Sequence, residues 1–106
     1  MKGNLLISNA TMVLPTGAVN GDLRICDGII TEIVTNSQLT RQHDEDFFDA
    51  QGLFLLPGII DPQCHFRDPG QPEKEDLGSG SAAAVSGGVT SFLDMPKMYH
   101  PSRHLR

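Results

Sequence analysis

The sequence predicts a mixed α/β fold in three parts, namely a small antiparallel β module over residues 1–56, a strand–helix–strand unit over residues 57–96 and a tail over residues 97–106. Two observations lead to this prediction. Short apolar runs, each closed by turn-forming residues, fill the first half. From residue 57 onward, a strand pattern, a polar loop, a helix pattern rich in small residues, a glycine pair and a second strand pattern follow in the order of a βαβ unit.

The first half opens with two short strand patterns. Residues 5–7 are apolar and end at Ser8 and Asn9, which are turn-forming residues, and residues 11–14 end at the sequence Pro-Thr-Gly. Both runs have the length of a strand. We therefore expect two separate strands with a turn between them.

The next two strand patterns predict a β-hairpin. Residues 22–26 and 29–34 flank Asp27 and Gly28, a pair that accepts the positive φ angles of a two-residue turn. Such a turn pairs Cys26 with Ile29 and Ile25 with Ile30. A polar connection over 35–46 follows, and two more apolar runs then bracket a Gln-Gly turn, which completes a small antiparallel sheet module.

The second half begins with a strand pattern of alternating polar and apolar residues over 59–67. Side chains of a strand alternate between its two faces. The predicted polar face carries Asp61, Gln63, His65 and Arg67, and the apolar face carries Ile60, Cys64 and Phe66.

A helix and a second strand follow the loop at 68–72. Acidic residues over 73–76 suit a helix amino terminus, and a glycine pair at 87–88 ends the pattern. Leu77, Ala84 and Val85, with small residues between them, mark the expected packed side. Residues 89–94 form the second strand, which the βαβ order makes parallel to the first. Functional groups in such folds gather at the carboxyl ends of the strands.

Composition excludes several classes of protein. The net charge is −5 without a basic run, which argues against nucleic-acid binding, and no apolar stretch approaches the length of a membrane-spanning helix. Two cysteines in dissimilar contexts do not indicate a disulfide framework. The amino terminus lacks a signal-peptide layout, so we expect a cytoplasmic protein.

Three residues near the end of the first predicted strand could carry chemistry, and each has a simpler explanation. His65 could bind a metal ion, but the spacing alone favours a hydrogen-bonded structural residue, since Gln63 is a poor zinc ligand. Arg67 could bind a carboxylate through two parallel hydrogen bonds, or form a salt bridge to a neighbouring acidic residue. Cys64 lies on the apolar face and is better explained by packing than by nucleophilic chemistry.

Residues 56–71 read Leu-Pro-Gly-Ile-Ile-Asp-Pro-Gln-Cys-His-Phe-Arg-Asp-Pro-Gly-Gln, followed by Lys-Glu-Asp at 74–76 and Gly-Gly-Val-Thr at 87–90. This pattern closely resembles the amino-terminal signature of dihydroorotases, in the cyclic amidase branch of the amidohydrolase superfamily. The resemblance covers about residues 1–96. It ends after Asp-Met-Pro, where the family continues with Asn-Thr and this chain has Lys97.

The resemblance implies a zinc-dependent hydrolase of cyclic amides that interconverts dihydroorotate and carbamoyl aspartate in pyrimidine biosynthesis. It implies a β-sandwich module followed by the first βαβ unit of a TIM barrel, truncated because a closed barrel needs about 250 residues. Carried over by position, His65 becomes a metal ligand and Arg67 binds the substrate carboxylate. His65 matches the second histidine of the family pattern, and Gln63 stands in the place of the first, so we expect zinc binding to be weak or absent.

Three interpretations follow. The chain is a dihydroorotase-like fragment that is inactive alone, or a non-catalytic homologue that serves as a structural partner, for example of aspartate carbamoyltransferase. A stand-alone β-sandwich binding module is the third, and the specific signature argues against it. We assign no catalytic residue, and we expect self-association through strand edges that a partial barrel leaves uncovered.

Overall fold

The computed structural model describes residues 3–96, and the predicted tail over 97–106 lies outside them. The chain divides into two compact units, Met1–Leu56 and Pro57–Arg106. The described residues are mostly β with one helix. No helix within them has the length and apolarity needed to cross a membrane.

The first unit is a five-stranded sheet. Its strands are β1 (Asn4–Leu14), β2 (Gly17–Cys26), β3 (Ile29–Thr35), β4 (Glu45–Asp49) and β5 (Phe54–Leu55). They follow the order β3-β2-β1-β4, and the short β5 also pairs with β1. Buried Ala10, Met12, Leu23 and Ala50 form its apolar core.

The prediction that this sheet is antiparallel is correct for β1, β2 and β3 and wrong for the other two strands. β4 and β5 both pair with β1 in parallel. The connection over 36–44 carries the chain from β3, at one edge, to the other side of β1, where Glu45 lies opposite Asn4. A crossing of this kind starts the next strand in the same direction as β1, which a tight hairpin cannot do.

The predicted turn at Ser8 and Asn9 is instead a β-bulge inside one continuous strand. The pairing of β1 with β2 shifts register between Ile7 and Ala10, and Asn9 has a φ of 56°. Asparagine tolerates this left-handed conformation better than most residues. The bulge also points the Asn9 N–H at the carboxylate of Asp22, 3.0 Å away, so the irregularity is hydrogen-bonded.

The predicted hairpin between β2 and β3 is confirmed. Cys26 lies opposite Ile29 and Ile25 opposite Ile30. Asp27 and Gly28 have φ angles of 49° and 83°, the left-handed values that a two-residue turn of this type requires.

A buried carboxylate fastens the connection over 36–44 to the sheet. Asp22 is 1% exposed, and it accepts hydrogen bonds from the Ser8 hydroxyl at 2.7 Å and the Leu39 N–H at 2.8 Å. Burial alone would raise the pKa of Asp22, but these hydrogen bonds, with that from Asn9, outweigh burial and hold the pKa below its usual value. The carboxylate therefore stabilises the loop in its ionised form.

A second buried group holds the same connection. The Arg24 guanidinium donates from Nε to Glu45 Oε1 at 2.7 Å and from Nη2 to the Thr40 carbonyl at 2.7 Å, and it also contacts Glu32. Glu45 accepts a further hydrogen bond from the Gln42 N–H at 2.9 Å. The hydrogen bond from Arg24 is the main reason that the pKa of Glu45 lies below its usual value. The polar stretch that the sequence marks as a simple connection is thus pinned at several points.

The second unit contains β6 (Ile59–Cys64), α1 (Leu77–Ser86) and β7 (Val89–Asp94). β6 and β7 pair in parallel, which confirms the predicted strand–helix–strand order. Asp76 caps the helix by accepting a hydrogen bond from the Ser79 N–H at 2.6 Å, and Gly87 ends it. Of the acidic residues at 73–76, Asp76 acts at the helix start, whereas Glu73 and Glu75 lie before the helix; the predicted glycine end is confirmed.

The predicted packed side of the helix is partly wrong. Leu77 and Val85 are 49% and 67% exposed, whereas Gly80 is buried and Ala84 is half-buried. Gly80 lies so close to the ring of Phe66 that a Cβ atom there would come within 2.5 Å of it. The helix packs against Phe66 through Gly80, and its two larger apolar residues stay mostly exposed.

Candidate functional site at the carboxyl ends of two parallel strands

β6 ends earlier than the sequence pattern predicts. Its last residue is Cys64, and its pairing with β7 is irregular between Asp61 and Cys64. Pro62 has no N–H to donate, and the Asp61 carboxylate accepts the Gln63 N–H at 3.0 Å in a local turn. The predicted polar face running from Asp61 to Arg67 is therefore not one continuous strand face, because His65 and Arg67 follow the strand.

Phe66 anchors the segment that leaves β6. Its side chain is only 5% exposed, and its ring packs edge-on against Phe92 with the ring centres 4.5 Å apart. The Phe66 N–H donates to Asp94 Oδ1 at 3.0 Å. Met95, which follows Asp94, donates its N–H to the Cys64 carbonyl at 2.8 Å. The carboxyl ends of β6 and β7 are thus joined beyond the last residue of β6.

His65 and Arg67 are exposed on either side of this anchor. The ion pairs formed within residues 3–96 do not include Arg67. The alternative that Arg67 forms a salt bridge to Asp68 or Glu73 is therefore not observed. Asp68 lies at the start of the helix, where it accepts the Leu77 N–H at 3.4 Å.

The described residues do not fit a zinc ion. Zinc sites in proteins use three or four nitrogen, sulfur or carboxylate ligands. Residues 3–96 bring together no group of three or more histidine, cysteine, aspartate or glutamate side chains suited to a metal ion. Gln63 precedes His65 by two residues, and both side chains are exposed. The amide oxygen of a glutamine is a weak zinc ligand compared with a second imidazole.

Cys64 has the properties of a packing residue. Burial raises the pKa of its thiol above the usual value, and the carboxylates of Asp61 and Asp94 raise it further. A thiol with a raised pKa carries little thiolate at neutral pH and is a poor nucleophile. This agrees with the interpretation from the strand pattern.

The first unit contains a polar cleft that the sequence does not reveal. Its volume is about 220 Å³, and its lining includes Asn9, Asn20, Asp22, Asn36 and Gln38. These groups bond to one another, as when Gln38 Nε2 donates to Asn9 Oδ1 at 3.2 Å. In the part of the chain that the structure describes, every buried side-chain nitrogen or oxygen has a hydrogen-bond partner. The cleft is therefore explained by the internal bonding of the loop.

Sequence comparison finds relatives with known activities, although no family model matches the chain. A dihydroorotase from Carboxydothermus hydrogenoformans is 43% identical over 99 residues, which is 92% of this chain and 22% of that protein. An allantoinase from Arabidopsis thaliana is 38% identical over 101 residues, which is 91% of this chain and 19% of that protein.

Solved structures show the same relationship. A D-hydantoinase matches with a TM-score of 0.73 and 34% identity over 91% of this chain and 21% of its own. The L-hydantoinase from Arthrobacter aurescens matches with a TM-score of 0.69 and 27% identity over the same shares of the two chains. The chain thus spans about one fifth of the length of these relatives, which are amidohydrolases.

Proposed function

Because the chain is homologous to the amino-terminal part of dihydroorotases, we propose that it carries part of the active site of a cyclic amide hydrolase. The substrate class is a cyclic amide with a carboxylate, with dihydroorotate and carbamoyl aspartate as the expected pair. His65 would be one metal ligand, and Arg67 would bind the substrate carboxylate. The first βαβ unit of a TIM barrel is the corresponding fold proposal for residues 57–96.

The observation that carries this proposal is that His65 and Arg67 are both exposed in the segment directly after the end of β6. No carboxylate of residues 3–96 occupies the Arg67 guanidinium in an ion pair. A guanidinium binds a carboxylate through two parallel hydrogen bonds, a geometry that an ammonium group cannot reproduce. The carboxyl end of a parallel strand is also where α/β folds bind their ligands.

We propose that the chain is inactive alone. Gln63 replaces a histidine of the family pattern, and the described residues assemble no metal site. Without a bound metal ion, the site lacks the means that the family uses to activate water.

The test is titration of the ¹⁵N-labelled chain with carbamoyl aspartate and dihydroorotate, followed by NMR. We expect saturable shifts at Arg67 and its neighbours, weak binding in the millimolar range (about 4 kcal/mol) and loss of binding in Arg67→Gln. Lys74→Gln is the matched control, because it removes an exposed positive charge from the same unit and should leave binding intact. Absent binding, or equal loss in both variants, contradicts the assignment of Arg67, and turnover of dihydroorotate by the unmodified chain contradicts the proposed inactivity.

Gln63 also favours a second candidate function, that of a non-catalytic subunit which supports another enzyme. Replacement of a metal ligand removes catalysis but leaves the fold available for binding. Aspartate carbamoyltransferase is the expected partner, and sedimentation of the mixed proteins tests this. A stable complex supports the structural role, and independent sedimentation of the two proteins contradicts it.

A further inference from the structure

The hydrogen bonds between β6 and β7 continue past the end of β6. The Met95 N–H donates to the Cys64 carbonyl at 2.8 Å, as in a strand ladder. The next contact differs, because the acceptor for the Phe66 N–H is the side chain of Asp94, at 3.0 Å. A carboxylate therefore takes the place of a backbone carbonyl at the point where the chain leaves the sheet.

This bond acts together with two packing contacts on Phe66. The ring lies against Phe92, and the close approach of Gly80 leaves it no room on the helix side. Because Phe66 is 5% exposed and held at both its backbone and its ring, its position in the fold is fixed. His65 and Arg67 are its direct neighbours along the chain, and adjacent Cα atoms are about 3.8 Å apart.

We propose that Asp94 is a positioning residue that sets where His65 and Arg67 lie relative to the ends of the strands. The ligand that His65 and Arg67 bind is the one given by the proposed function, and the inference rests on it in this respect. Asp94 itself acts through the backbone of Phe66. The exposed residues on either side of Phe66 lack comparable packing of their own, so their placement depends on this anchor.

Three variants of the 106-residue chain test the proposal. Asp94→Ala removes the acceptor, and Asp94→Asn keeps an oxygen that can accept the same hydrogen bond. Val89→Ala is the stability control, because it weakens a half-buried β7 residue that pairs with Ile59, away from Phe66. The measurements are hydrogen exchange of the Phe66 amide, the amide chemical shifts of His65 and Arg67, and the affinity for carbamoyl aspartate.

We expect Asp94→Ala to speed exchange of the Phe66 amide by roughly tenfold or more, as loss of a hydrogen bond to a charged group does. It should also move the amide shifts of His65 and Arg67 and weaken carbamoyl aspartate binding by about tenfold. Asp94→Asn should recover the shifts and most of the affinity. Val89→Ala should lower stability without moving those shifts.

The proposal is overturned if Asp94→Ala leaves the Phe66 amide and both neighbouring shifts unchanged, if Asp94→Asn fails to restore them, or if Val89→Ala moves them equally. Failure of the proposed function gives a different result. If the unmodified chain does not bind carbamoyl aspartate, the role of Arg67 is wrong, while exchange and chemical shifts still decide whether Asp94 positions the segment.

Discussion

Replacing Gly80 with alanine should destabilise the second unit, although the same change usually stabilises a helix. Alanine is favoured over glycine in a helix interior by about 0.5–1 kcal/mol. In this fold, however, a Cβ at residue 80 would lie 2.5 Å from Cδ1 and Cε1 of Phe66 and 3.1 Å from Cδ of Glu75. Since Cβ atoms do not tolerate contacts this short, Phe66 or the helix has to move.

The cost of that movement exceeds the gain in helix propensity. Forcing an extra carbon into a packed interior costs about 1–3 kcal/mol. A displaced Phe66 also loses its edge-on contact with Phe92, which contributes about 0.5–1.5 kcal/mol beyond buried area. After subtraction of the helix-propensity gain, we expect a net destabilisation of about 2 kcal/mol.

The assay is urea unfolding followed by far-ultraviolet circular dichroism, with amide hydrogen exchange in β6 and β7 to isolate the second unit. Gly78→Ala is the matched control, because a Cβ there meets only Asp76 Oδ1, at 3.3 Å. That oxygen also caps the helix, and a shift of a few tenths of an ångström relieves the contact while keeping the hydrogen bond from the Ser79 N–H. Gly78→Ala should be neutral or slightly stabilising. If Gly80→Ala stabilises the unit as the control does, the close packing of helix and Phe66 is wrong.

Three further predictions concern stability in acid, the reactivity of the half-buried Cys64 thiol and self-association. The pKa values of Asp22 and Glu45 are lower in the folded than in the unfolded chain, so the unfolded chain binds more protons in acid. The two ionised carboxylates should therefore stabilise the first unit above about pH 4, and this contribution to the free energy of unfolding should be lost as the pH falls further. Asp22→Asn should flatten that acid dependence in thermal melts, and an unchanged profile would refute the role of Asp22. Because burial raises the pKa of Cys64, iodoacetamide should label it slowly at neutral pH, and the labelling rate should still be low at the ordinary thiol pKa of about 8.5 and rise only above it. Rapid labelling at neutral pH contradicts its packing role. Ile60, at 66% exposure, is one of several large apolar residues exposed around the paired strands β6 and β7, so light scattering should show a mass that rises with concentration, whereas a constant monomer mass counts against self-association.

Much of the fold could be predicted because local signals decide it. Asp27 and Gly28 determine the hairpin, and Asp76 and Gly87 determine the ends of the helix. The parallel placement of β4 and β5 could not be predicted, because it depends on a long connection held by non-local bonds from Asp22 and Arg24. Patterns within a short window carry no information about partners so distant in the sequence.

Sequence reasoning proposes the residues of the candidate site but does not reveal the contacts that hold them in place. The signature around residues 56–71 indicated His65 and Arg67, whose roles stay predictions. The alternation pattern overextended the strand, because Pro62 and the turn at Asp61 interrupt its pairing. The bond from Phe66 to Asp94 joins residues 28 positions apart, and the only sequence signal was an acidic residue at the end of a predicted strand.

The most direct test of His65 as the proposed metal ligand is zinc binding by Gln63→His, measured as metal content and affinity after dialysis and compared with the unmodified chain. An added imidazole at residue 63 should raise zinc affinity by at least about tenfold, and Gln63→His combined with His65→Ala should remove the gain. Tight stoichiometric zinc in the unmodified chain, or no gain in Gln63→His, would contradict the placement of His65 in the remnant of a metal site.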